Sequence, residues 1–284
     1  MNLRDIEMRS SGAAYGWEFR WRAPILIGSQ PVFAMTVQAV TGFEGHWYAP
    51  PFTPWVGWLG VFVAALGVLL RIQSTTALRA SVMGADNPDT SHFVRHGIYR
   101  SVRNPLYLSS LLLFGGYGLF FGWMWAAGYV AFHFWRYCRI VRLEESCLRS
   151  EWNDSFETYF SSVPRWLPRW EIFRHEFGRW MSWHGVIANS LYVGMWLGIA
   201  ASVLFGNFGW VIPFECAGGV LMLAYYRAQS RKVVASVPGE AKLAIANPEL
   251  PSTSHASVVA RLPHPHFSTE VAERPRVIAI FEEP

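Results

Sequence analysis

With 284 residues, 52% of them hydrophobic, only 15% charged and a net charge of +4, the chain falls well short of the roughly 25% charged residues of an ordinary soluble domain. Its 15 Trp and 20 Phe fit a polytopic membrane protein, where aromatic side chains settle at the lipid–water interfaces. The basic residues are nearly all arginine and fall between apolar runs, which excludes the single basic surface expected of a nucleic-acid binder.

Arg4, Asp5, Glu7 and Arg9 precede no short apolar core with a small-residue cleavage site, so a cleaved signal peptide is not expected. Pro24 to Val40 is the first candidate span. Gln30, Pro31 and Gln38 interrupt it, and a shallow or re-entrant helix is the alternative. Trp55 to Leu70 carries no charge and reads as a membrane helix, which takes about 20 apolar residues. Leu106–Phe121 and Trp123–Val141 form an apolar block broken at Gly122 and read as a tight helical hairpin. Ile187–Phe205 and Trp210–Tyr226 form a second hairpin, turning at Gly206-Asn207.

Charge placement tests this count, because cytoplasmic loops collect Lys and Arg. The outside loops (Thr41–Pro54, the turn at Gly122 and Gly206–Gly209) contain neither, whereas the inside segments hold Arg20, Arg22, Arg71, Arg79, Arg95, Arg100, Arg103 and the arginines between Arg136 and Arg179. Six spans with both termini cytoplasmic satisfy every loop. Beyond Val233 the chain turns to Pro, Ser, His and Ala, too poor in apolar surface to offset its ordering entropy. A disordered tail is expected there, with Val277–Phe281 as one short strand-like run. Cys138, Cys147 and Cys216 are scattered with no C-x-x-C pair, which suggests neither a zinc site nor a disulfide framework.

The chemistry-bearing stretch runs from His96 to Tyr107, HGIYRSVRNPLY. Asn104-Pro105 is a good helix start, with Asn as the cap and Pro in the first turn. Tyr99, Arg100 and Arg103 then sit at a helix N-terminus that favours negative charge. Arg103 can pair with a ligand carboxylate, and Gly97 lets backbone approach a ligand closely. Topology explains the same residues as positive-inside anchors and interface aromatics. After the hairpin come Arg139, Arg142, Glu144 and Glu145. Carboxylates at a membrane boundary need solvation or a partner. Antiparallel hairpin arms bring Glu144 and Glu145 opposite the His96–Tyr107 loop, where an acid for an ammonium and Arg103 for a carboxylate suit an amino-acid moiety. The alternative is pairing within the helix, Arg142 with Glu145 or Glu145 with Arg149. Leu143, Cys147, Leu148, Trp152, Phe156, Tyr159 and Phe160 recur at helical spacing. They predict an amphipathic helix on the membrane or over a pocket, ending near Val163-Pro-Arg-Trp-Leu-Pro168.

HGIYRSVRNPLYLSS, an apolar hairpin, and then EESCL and YFSSVPRWLP over residues 55–170 resemble the isoprenylcysteine carboxyl methyltransferase and phospholipid methyltransferase superfamily. The resemblance implies S-adenosylmethionine bound at the cytosolic membrane surface by His96, Gly97, Tyr99, Arg103, Asn104, Tyr107, Glu144 and Glu145. It also implies a methyl acceptor arriving from the lipid, with Arg165 and Trp166 as its candidate contacts. Asn104 stands where the family commonly has His, and Ser109 where Gly is frequent. Asn keeps hydrogen bonding but cannot titrate near neutral pH, so no base is assigned there.

The combined expectation is an all-α polytopic membrane bundle of about six spans, with a cytoplasmic cofactor site formed by loops and an amphipathic helix. Its segments are 1–54 with the first span, the methyltransferase-like core 55–170, an added hairpin 171–232 and the tail 233–284. The function implied is an S-adenosylmethionine-dependent methyltransferase acting on a lipid-like or small apolar acceptor, carboxylate or amine. A nicotinamide-dependent membrane reductase and a non-catalytic ligand-binding membrane protein are the alternatives. The preference for Arg over Lys suggests a bacterial inner membrane.

Overall fold

The computed structural model describes residues 18–41, 54–78, 93–179, 181–206 and 208–236. Arg4, Asp5, Glu7 and Arg9, most of the Thr41–Pro54 loop, Arg79 and the tail beyond Ser236, with Val277–Phe281, lie outside them. The chain divides into two units, Met1–Tyr226 and Arg227–Pro284, and everything described below belongs to the first apart from the end of the last helix, Arg227–Ser236.

Among the described residues all regular structure is helical, as the sequence predicts. The helices are α1 (Arg22–Thr41), α2 (Pro54–Ala77), α3 (Pro105–Leu119), α4 (Trp123–Ser162), α5 (Trp170–Glu176), α6 (Trp183–Ala188), α7 (Ser190–Phe205) and α8 (Val211–Ser236), with a 3-10 turn at Gly97–Arg100. By length and composition, α2 is the one described helix able to cross a bilayer, over Trp55–Ala77. The apolar stretches Pro24–Val40, Pro105–Leu119 and Ser190–Phe205 are shorter. Pro31 does not break α1, which runs through it as one helix.

Both expected hairpin turns are present, at glycines whose backbone no other residue adopts easily. Gly122 caps α4 at φ 110°, and Gly206 ends α7 in the left-handed region. Two boundaries differ from the sequence reading. Trp123–Val141 and the amphipathic segment are parts of one helix, α4, whose direction changes only at Asn153, φ 40° and ψ −119°. The stretch expected to begin a span at Ile187 is broken after α6, and Asn189 starts α7 instead.

Lipid tails are as apolar as leucine, so close backbone packing has to hold helices together in a membrane. The sequence supplies small residues for it. A side chain on Gly60 would meet the Gly116 carbonyl at 2.8 Å, and one on Gly67 would meet the Leu113 amide at 2.7 Å. Around this α2–α3 crossing pack Ala64, Val68, Leu113, Phe114, Tyr117, Met195 and Ile199, all nearly inaccessible. Trp55, Trp58, Phe62, Trp123, Phe205, Ile212 and Val220 are instead exposed on the outside of the bundle, a surface that water disfavours and lipid covers. Some polar groups inside the bundle meet across helices: Ser29 Oγ of α1 lies 2.9 Å from Tyr129 Oη and 3.2 Å from His133 Nε2 of α4.

Candidate functional site

Three segments meet beside the first turn of α3. The 3-10 turn delivers residues 97–103, α4 delivers Glu144 and Glu145, and the segment after α4 folds back over both. Backbone hydrogen bonds fix that return: Arg103 N donates to Pro164 O at 2.9 Å, and Arg169 N donates to Ser101 O at 2.9 Å. The bend at Asn153 directs the end of α4 the same way. Phe156, Tyr159 and Val163 form a buried cluster with Phe93, Leu148 and Phe160, and Tyr159 Oη donates to the Tyr99 carbonyl at 2.7 Å. The amphipathic stretch thus closes over the loop, one of the two roles its pattern allowed.

Glu145 is the hub. It is buried, and Arg165 grips it from two nitrogens, Nε to Oε1 at 3.2 Å and Nη2 to Oε2 at 2.5 Å. Arg103 Nε lies 3.5 Å from Oε1, and Asn104 Nδ2 donates to the same oxygen at 3.4 Å. Glu145 therefore pairs with Arg103 across the hairpin, and among the described residues it makes no pair with Arg142 or Arg149, which bonds Glu157 instead. Arg103 also donates from Nη1 to the Phe160 carbonyl at 3.0 Å and lies 3.9 Å from the Phe160 ring centroid. Its Nε nevertheless makes no hydrogen bond of good geometry. Burial pulls the Arg103 guanidinium below its ordinary pKa, and the Glu145 charge opposes that shift.

Glu144 differs from its neighbour. Tyr107 Oη donates to its Oε1 at 2.7 Å, while Oε2 makes no hydrogen bond among the described residues. Removal from water raises its carboxyl to about 7, against the lowering effects of the Tyr107 hydrogen bond and of Arg22. Burial, with Tyr159 and Glu144 nearby, likewise raises the Tyr99 phenol well above its usual range.

Other expected residues take different places. Asn104 does begin α3, but its side chain makes no capping bond and reaches Glu145 and the Arg165 carbonyl instead. His96 is exposed and makes no cap bond to the 3-10 turn that follows it. Gly97 has φ +58°, with open space where a side chain would stand, so its conformation is what requires glycine. Arg165 holds Glu145, and Trp166 packs on the cluster of Tyr107, Leu111, Tyr137 and Ile140, its ring 5.1 Å from Phe134. Arg139 pairs with Glu18 at 3.1 Å, and Arg100 with Glu176 at 3.2 Å.

Residues 55–155 match the family model of the phospholipid methyltransferases. The matched segment carries α2, α3, the 3-10 turn and α4 through the bend at Asn153, hence every loop residue from His96 to Tyr107 and both glutamates. Arg165 and Trp166 lie beyond it. The match bears out the resemblance read from the motifs and, with the apolar α2, points to a membrane methyltransferase. No curated protein and no solved structure matches the chain. The sequence reading sets Arg165 among the acceptor contacts and Tyr159 and Phe160 on the amphipathic helix, but not their partners here: Glu145 for Arg165, the Tyr99 carbonyl for Tyr159 and Arg103 for Phe160. They lie 50 or more residues from the loop in sequence, and the spacing of YFSSVPRW was the only available signal.

Proposed function

We propose that the chain is an S-adenosylmethionine-dependent methyltransferase, spanning the membrane about six times with both termini cytoplasmic, that methylates a lipid-like or small apolar acceptor. The observation that carries this reading is the division of labour between the two glutamates. Glu145 is charge-compensated by the protein. Glu144, next to it in the chain, makes no salt bridge among the described residues: Tyr107 orients one of its oxygens, and the other makes no hydrogen bond among those residues. A carboxylate raised to about 7 becomes more acidic beside an ammonium, and Arg103 Nε is a buried donor with no good acceptor. Together they fit the zwitterionic end of an amino acid, with Arg103 on its carboxylate and Glu144 on its ammonium.

S-adenosylmethionine supplies a methyl group on a sulfonium, which transfers in line to a nucleophile. The chain's residues hold the reactants and exclude water, and proximity provides most of the acceleration. Glu144, poised near neutrality, is also the group able to take the proton of an amine acceptor, with Tyr107 fixing its orientation. A carboxylate acceptor needs no such step. Asn104, which cannot titrate, serves through its bond to Glu145.

Calorimetric titration of the purified protein with S-adenosylmethionine and with NADPH tests this reading. Micromolar binding of the first alone is expected, with a loss of at least tenfold in Arg103→Ala while the protein stays in the membrane. Binding of NADPH alone, or of neither, would overturn it.

A further inference from the structure

A second buried arginine lies next to this site and takes no part in it. Arg71, near the end of α2, is 7% exposed. Burying a guanidinium costs several kcal/mol unless a counter-charge or a full set of acceptors compensates it. Arg103 has Glu145, yet no carboxylate pairs with Arg71 among the described residues. Its partners are neutral: Nε donates to Asn189 Oδ1 at 3.1 Å, and Nη1 to Ser110 Oγ at 2.8 Å and the Leu106 carbonyl at 3.5 Å. Tyr192 lies under the guanidinium, 3.8 Å to the ring centroid. These contacts use Nε and Nη1 and hold the group rigidly, Asn189 being fixed in turn by its own bond to the Gly185 carbonyl at 2.7 Å. Nη2, with two N–H donors, makes no hydrogen bond among the described residues.

A second orphan stands on the other side of Ser110. Tyr137 is 1% exposed, and its hydroxyl has no hydrogen-bond partner of normal geometry, although Ser110 lies close enough to act on it. A buried hydroxyl without a partner costs about 1–3 kcal/mol, so its presence beside an unpaired guanidinium calls for an acceptor that serves both. The Tyr137 ring lies 4.9 Å from that of Tyr107, which bonds Glu144. Arg71, Ser110, Tyr137 and Tyr107 therefore lie in succession towards Glu144, with the two tyrosines in ring contact.

We infer that Arg71 Nη2 and the Tyr137 hydroxyl, flanking Ser110, form a binding subsite for an oxyanion that one of the ligands brings. Guanidinium with a hydroxyl beside it recognises tetrahedral phosphate and planar carboxylate alike. Arg103 already takes the cofactor carboxylate in the methyltransferase reading, so the anion is the phosphate of a phospholipid acceptor. The subsite rests on that reading only for the identity of this source.

The test uses the full chain in detergent, as wild type, Arg71→Gln and Tyr137→Phe. Three ligands are titrated: S-adenosylhomocysteine, methylthioadenosine (which lacks the amino-acid group) and dihexanoylphosphatidylethanolamine. If the anion is a lipid phosphate, Arg71→Gln weakens the phospholipid at least tenfold and Tyr137→Phe about threefold, with S-adenosylhomocysteine unchanged. The same losses falling on S-adenosylhomocysteine, with methylthioadenosine spared, would overturn the assignment to the acceptor. Unchanged affinities for all three ligands in the folded variants overturn the subsite and leave Arg71 as a lock between α2, α3 and α7. Should Arg71→Gln fail to fold, Tyr137→Phe decides alone. It removes one oxygen that makes no hydrogen bond, so a structural role predicts equal or higher stability with unchanged affinities. A wild type that binds phospholipid through Arg71 but no S-adenosylhomocysteine would sink the methyltransferase reading and keep the subsite.

Discussion

The two ends of α3 are held by opposite means. At the Gly116 end, backbone rests on backbone: a side chain there would meet the Gly60 carbonyl at 2.5 Å and the Ala64 amide at 2.7 Å. At the Tyr107 end, contact with neighbouring segments runs through charged and hydroxyl groups, Tyr107 with Glu144 and Asn104 with Glu145. The packed end leaves no room for a ligand or for movement. The polar end keeps donors and acceptors, some of them unused, beside a loop that only a few hydrogen bonds close. A helix fixed at one end by sterics can carry a reactive cluster at the other, because the cluster need not supply the stability of the crossing.

Removal of Glu145 is expected to have the largest effect. Glu145→Ala takes the acceptor from Arg165, Arg103 and Asn104 together and leaves a buried guanidinium uncompensated, a loss of about 3 kcal/mol in stability. Denaturant titration in detergent should show it, along with loss of cofactor binding. An unchanged midpoint would mean that the polar end contributes nothing to the fold. At the other end, Gly116→Ala should cost about 2 kcal/mol by forcing α2 and α3 apart, with cofactor affinity reduced far less than stability. Equal loss of both would show that the two ends are not separable.

The smallest effect is the most specific. Glu144 titrates at about 7 in the folded protein against an ordinary 4.5, so between those values the folded chain holds a proton that the unfolded chain has released. Stability from this group is present below about pH 4.5 and is lost as pH rises towards 7. Glu144→Gln, which mimics the protonated form, should raise the melting temperature at pH 8 by a few degrees and leave it unchanged at pH 4.5. Its cofactor affinity should no longer rise with pH through 7, as that of the wild type should. A parallel pH dependence in the two proteins would remove Glu144 from the site.

Much of this was legible along the chain because it is local. Apolar runs give the helices, Gly122 and Gly206 give the turns, and Asn104-Pro105 gives the start of α3. The pairing of the His96–Tyr107 loop with Glu144 and Glu145 was also readable, since one hairpin of known sense puts both at the same end. Boundaries were harder. Nothing in the sequence separates Trp123–Val141 from the amphipathic stretch, because helical hydrogen bonding continues while the environment changes, until Asn153 takes a backbone conformation few residues tolerate.

What the sequence determined alone is the helical class, the order of the segments and the residue types gathered at one end of α3. Only tertiary structure decided which carboxylate is taken up by salt bridges to the chain's own arginines and which makes none among the described residues. Adjacent glutamates are equivalent in sequence, and it is the approach of Arg165 from beyond α4 that neutralises Glu145 and leaves Glu144 raised beside Tyr107. Arg71 is the same case. Its charge is plain in the sequence, but that no carboxylate among the described residues meets it depends on α3 and α7 placing Ser110, Asn189 and Tyr192 around it. Compensation of a buried charge is a property of distance in space, and spacing along the chain does not encode it.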